Sequence, residues 1–259
     1  KLPTISEYLH GKAVPEEDPA YTVAVDRCVY DLQSIVVEGM DQKYLSQLPI
    51  HQILGMDQMA FERLCEKHQL SDDFWQQLQF AYQFQRLFEK CEDLPDYSPT
   101  AILYCKVVEM LLKSCYVQHY AKALKNEESS LFNYAQDGQR YTWEEVSTLA
   151  EPIRQNLTIG SFAFPVVASK AVPAQAAEAH ILALARTGGH AVAEWKQYAA
   201  LINEIKILRN LAAHGKAHAK VSKAQFTRLT GNLLSEHGLR RLIELTDDPA
   251  ERNRNGNDA

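Results

Sequence analysis

The chain has 259 residues, of which 46% are hydrophobic and 23% charged, with a net charge of −6, the make-up of an ordinary globular protein large enough to bury a core. No run of 18 apolar residues occurs and no basic stretch followed by an apolar one opens the chain, so neither a membrane span nor secretion is indicated and a cytoplasmic setting is expected. Five cysteines (28, 65, 91, 105 and 115) form an odd set without a C-x-x-C pair, which argues for reduced, buried thiols over a disulfide framework or a thiolate zinc site.

Residues 1–20, rich in Pro, Glu and Asp, read as an extended lead-in, and the start at Lys1 in place of Met reads as that of a fragment of something longer. Val25, Cys28, Val29, Leu32, Ile35 and Val36 fall at helical spacing, with Gly39 as a stop. Pro49 to Gly55 suggests a short helix or turn, followed by a helix over about 57–67. Ser71-Asp72-Asp73 then caps a further helix reaching Cys91. Pro95 to Pro99 punctuates the chain and is placed as a domain boundary, with Ser98 as N-cap and Pro99 at the first helical position. The helix that follows runs to Leu124, its face continued by Ile102, Lys106 with Val107, Met110, Leu111, Ser114 and Val117. Residues 126–130 form a polar break and Gly138 a turn. Thr142 and Glu145 then form a capping box. Leu157 to Pro165 is apolar and β-branched and reads as a short strand or a buried connection. Ala174 to Ala185 reads as helix before Gly188-Gly189.

A helix from about Ala191 to His214 carries an apolar stripe at Leu201, Ile202, Ile205, Leu208 and Ala212, and Gly215 would end it in a left-handed cap. A last helix over Ser222 to His237, continuing to Leu245, precedes a polar tail at 248–259. No fixed-period repeat, phosphate loop or strand–glycine fingerprint is present, and strands do not alternate with helices, so the fold class is all-α, a helical bundle without nucleotide cofactor chemistry. The organisation expected is a helical N-terminal region over 1–95, a helical domain over 96–247 and the tail.

Charge is unevenly spread. From Lys196 to Arg241 nine basic residues face two acidic ones, a local +7 against −13 elsewhere. Lys206, Lys216, Lys220 and Lys223 in this stretch are candidates for binding a polyanion such as RNA, because phosphate contacts supply most sequence-independent affinity. Within it lies Arg209-Asn210-Leu211-Ala212-Ala213-His214. The free carbonyls at a helix C-terminus favour a protonated imidazole at His214, and Arg209 offers a permanently charged fork of donors for phosphate oxygens. Five residues span about 140° of helix rotation, so the two side chains do not share a face unless the last turn deforms or a second chain completes the site. His214 with His218 has an H-x-x-x-H spacing, but Gly215 intervenes and no H-E-x-x-H glutamate accompanies it, so no metal site is read there. No serine or cysteine lies in a nucleophile elbow.

Arg209 to His214 matches the R-x4–6-H motif, with Asn210 after the arginine, of the HEPN superfamily. Residues 96–246 resemble that family, with Glu109 and Lys113 on the helix after Pro99 in the manner of its first helix. The resemblance implies a metal-independent endoribonuclease, without cofactor, whose dimer joins two Arg/His pairs into one site, acting in toxin–antitoxin or antiviral systems with a regulatory protein partner. Arg209, His214, Asn210 and Glu109 would be the catalytic groups. Glu109 also admits a plainer role as a rim carboxylate paired with Lys113. The alternatives are an inactive HEPN-like dimerisation or partner-binding module and a non-catalytic RNA-binding protein.

Overall fold

A computed structural model describes residues 49–68, 70–89, 96–125, 132–133, 140–148, 157–214 and 220–246. The predicted lead-in, the helix over 21–39, the polar break at 126–130, the turn at Gly138, the stop at Gly215 and the tail fall outside these ranges. The described helices are α1 (Ile50–Ile53), α2 (Gln58–His68), α3 (Asp72–Glu89), α4 (Ser98–Leu111), a π-helical segment (Leu112–Tyr116), α5 (Val117–Ala123), α6 (Trp143–Thr148), α7 (Ile159–Ala163), α8 (Ala174–Gly188), α9 (Val192–His214), α10 (Lys223–Leu234) and α11 (Leu239–Glu244). A two-residue ladder between β1 (Phe132–Asn133) and β2 (Arg140–Tyr141) is an ornament on an all-α bundle.

Local chemistry sets most boundaries. The Ser71 hydroxyl accepts from the Phe74 amide at 3.3 Å, Thr142 and Glu145 form their reciprocal box, and Ser222 forms another with Gln225. Ser98 departs from its expected role. It lies inside α4 and donates to Asp96 Oδ1 at 2.6 Å, while Asp96 and Ser98 also accept from the Val221 amide, tying the start of α4 to the strand of chain that leads into α10.

Two expected elements differ. Leu157 to Pro165 is neither strand nor simple connection: Thr158 and Ser161 cap the short helix α7, whose Ile159 and Phe162 are buried. The last helix is broken at residues 235–238: Ser235 turns to an extended conformation (φ −72°, ψ 166°) and Gly238 holds a ψ of −122° at a position where a Cβ would run into the Leu233 carbonyl.

The central layer is α4, the π segment and α5 packed antiparallel on α9. Cys105 Sγ approaches the Ile205 carbonyl, the Tyr116 ring stacks on Tyr198 at 5.0 Å, and the Tyr120 and Tyr198 hydroxyls lie 2.9 Å apart. The predicted stripe of α9 is buried at Ile202, Ile205 and Leu208, and Trp195 and Tyr198 extend it. On α4 the expected Val107 and Leu111 are buried, and so are Ala101, Leu103, Tyr104, Cys105 and Val108, while Ile102, Lys106 and Met110 are half-buried; beyond α4 the expected Val117 is buried and Ser114 is exposed. The π segment shifts the buried face only beyond Leu111. A five-residue step carries Leu111 to Tyr116 and Leu112 to Val117, so both pairs face the core where a 3.6-residue period would turn one member outward. Fully burying such side chains is worth about 1.5–3 kcal/mol each. The core is continuous from Ile53 to Leu245, and α3 packs on α4 across the predicted boundary.

Candidate functional site

Arg209 stands half-buried one turn beyond Ile205, the residue whose carbonyl receives Cys105. Burial pushes the Cys105 thiol up to about 12, with Arg209 pulling it down and Glu109 pushing it further up, so both charges reach this sulfur. They reach it from opposite directions. On antiparallel helices, four residues past Cys105 and four residues past Ile205 lead away from one another by about 6 Å each. Glu109 and Arg209 therefore bracket the thiol along the helix axes and do not meet over it. The Glu109 carboxylate pairs instead with Lys113 at 2.9 Å, with both side chains less than one-fifth exposed.

α9 remains regular α-helix through His214, so no deformation of its last turn brings the position of His214 around to that of Arg209. Position 214 lies seven residues, nearly two full turns, after Ile207, which is 60% exposed. Arg209 by contrast sits at the edge of the face that carries Ile205 and Ala213, both buried. Asn210 is half-buried between these two faces.

Of the basic candidates, Lys206 is half-buried on α9, and Lys220 and Lys223 are exposed at the entry to α10; Lys216 falls outside the described residues. The neighbouring Glu204 is occupied by α10, accepting from Arg228 Nε at 2.5 Å and Asn232 Nδ2 at 3.2 Å, which fixes the two basic helices against each other. Among the described residues no three His, Cys, Asp or Glu side chains gather as a metal-ligand set. No helix among them is long and apolar enough to cross a membrane, and Cys65, Cys105 and Cys115 are not joined in disulfides.

The opposite end of α9 holds polar chemistry that sequence spacing did not reveal. His119 of α5 is buried, lies flat against Trp195 at 5.0 Å and donates through Nε2 to the Leu184 carbonyl. Burial is the main reason its pKa falls to about 4, with the nearby His190 adding to the effect against that hydrogen bond. Both ring nitrogens of His190 face acceptors, Glu194 Oε2 at 3.1 Å and the Glu244 carbonyl at 3.0 Å, an arrangement the doubly protonated imidazolium satisfies. Burial resists ionisation of Glu194, but Arg241 and His190 outweigh it and hold the carboxyl below its usual range. Compared with family models, curated proteins and solved structures, the chain matches none.

Proposed function

We propose that the chain is a metal-independent endoribonuclease of the HEPN type, with its site assembled from two copies of Arg209 and His214 at a dimer interface. The observation that carries this reading is the phase of α9. Arg209 lies on the half-buried edge while position 214 shares the outward face of exposed Ile207, which is the arrangement a second copy of the helix would complete. In the reaction, the 2′-hydroxyl of RNA attacks the adjacent phosphorus and the bond from phosphorus to the 5′-oxygen breaks. One His214 takes the 2′ proton, the other supplies a proton to the leaving 5′-oxygen, and Arg209 stabilises the charge that builds on the phosphorane. Products carry 2′,3′-cyclic phosphate and 5′-hydroxyl ends. Lys206, Lys216, Lys220 and Lys223 would hold the RNA backbone and Asn210 would orient the histidine, while Glu109, paired with Lys113 on the far side of Cys105 from Arg209, takes the plainer rim role. A role in toxin–antitoxin or antiviral defence, with a regulatory protein partner, accompanies this reading.

The deciding experiment is RNA cleavage in EDTA by the wild type and by Arg209→Ala and His214→Ala. Each variant should lose about 10²–10⁴-fold in rate while keeping its fold. Full activity in either variant refutes the assignment. The exposure of Ile207 also favours a second reading, an inactive module of the same type that dimerises through α9; a wild-type dimer that leaves RNA intact would select it.

A further inference from the structure

A glycine lets two histidines close on each other. At the point where a Cβ of Gly188 would stand, His119 Cε1 lies 2.9 Å away, the Leu245 carbonyl 3.2 Å and His190 Cδ2 3.3 Å. This contact joins α5, the end of α8, the turn into α9 and the chain just past α11. His119 is fixed from its other sides, flat on Trp195 and bonded to the Leu184 carbonyl.

His190 is a tie that holds α11 to this corner. Its Nε2 faces the Glu244 carbonyl and its Nδ1 faces Glu194, which is in turn paired with Arg241. α11 is only six residues long, and the Tyr116 hydroxyl, donating to the Leu242 carbonyl, is a further tie to the bundle. A cleft of about 420 Å³ separates part of α11 from α2, which leaves the helix room to move on that side.

The charged groups around the two rings are Lys122 of α5, Glu194 of α9, and Arg240, Arg241 and Glu244 of α11. Lys67 and His68 of α2 stand across the cleft, and further along α5 Lys125 is paired with Glu144 of α6. Lys122 and His190 both act against a proton on His119. Such a proton sets two imidazolium rings against one glycine, where both residues are buried and water screens them little.

We propose that His119 and His190 form an acid-triggered latch on α11: when both rings are charged, His190 leaves the Glu244 carbonyl and α11 swings off the bundle, exposing Leu239, Leu242 and Ile243 while the α4–α9 core stays folded. The latch uses neither Arg209 nor His214, so it stands or falls apart from the nuclease reading.

The test is native-state hydrogen exchange in low urea at pH 7.5 and pH 5, corrected for the intrinsic chemistry of exchange. Amides of 239–245 should exchange through a local opening nearly independent of urea, whereas those of 103–108 in α4 should need the urea-dependent global route. That local opening should be about thirtyfold more frequent at pH 5, the factor for a histidine at about 4 when closed and about 6.5 when open. His119→Gln should abolish the pH factor. His190→Gln should raise the opening at pH 7.5 and make the factor smaller. Amides of 239–245 that follow the same urea dependence as α4 at pH 5 overturn the proposal, and this wild-type comparison decides the matter even if a variant does not fold. An unchanged pH factor in either variant overturns it as well.

Discussion

Acidification should loosen this protein through His119 before general acid denaturation sets in. The ring is buried against Trp195, and its pKa is about 4 in the folded state, against about 6.5 in an unfolded chain. A depressed folded pKa means that the unfolded state takes up the proton first. Stability is therefore complete above about pH 7 and declines as the pH falls from about 6.5 towards 4. The full shift corresponds to about 3 kcal/mol, of which about 2 kcal/mol is lost between pH 7.5 and 5. That is a large share of the 5–15 kcal/mol typical of a domain. Urea denaturation at the two pH values would measure it, with His119→Gln as the reference. Glutamine retains a donor for the Leu184 carbonyl but cannot be protonated, so its curve should fall by about 2 kcal/mol less than that of the wild type over the same interval. Equal losses in the two proteins would refute the claim that His119 is held neutral by burial.

Further outcomes follow from the same geometry. Gly188→Ala should destabilise by about 1–3 kcal/mol by thermal melting, although alanine is the better helix former, because its Cβ would lie 2.9 Å from the His119 ring, itself held by the Trp195 stack, and 3.2 Å from the Leu245 carbonyl. Ser222→Ala should lower stability by about 1 kcal/mol in denaturant titrations through loss of the α10 cap. Mixing Arg209→Ala with His214→Ala chains should restore part of the RNA cleavage that each lacks alone, and a mixture as inactive as its components would rule out a composite site. Affinity for single-stranded RNA should fall with salt at a slope near −0.7 per phosphate contacted, read by fluorescence anisotropy, whereas a flat response would remove the lysines from the binding account.

Much of the fold is a local matter, and the sequence by itself determined it. The cap pair Thr142/Glu145, the serine before Asp72, the start at Ser222 and the three-and-four spacing through Ile202, Ile205 and Leu208 act within a few residues, so the starts of α3, α6 and α10 and the buried face of α9 can be read directly. Where a choice depended on neighbours, only the tertiary structure made it. α4 is apolar around most of its circumference because α3, α7, α9 and α10 all pack on it, so periodicity could not select its face, nor announce the π segment that lets Leu112 and Val117 both point inward. Leu157 to Pro165 has strand-like composition, yet its backbone groups find partners in a capped helical turn whose Ile159 and Phe162 are buried. The polar sites divide in the same way. Arg209 and His214 lie close in sequence, and their mismatch in phase follows from helix geometry alone. The bracketing of Cys105 by Arg209 and Glu109, and the closing of His119 on Gly188 and His190, join residues from distant parts of the chain. Such groups are brought together by the burial of apolar faces elsewhere in the bundle, and no local spacing encodes the meeting.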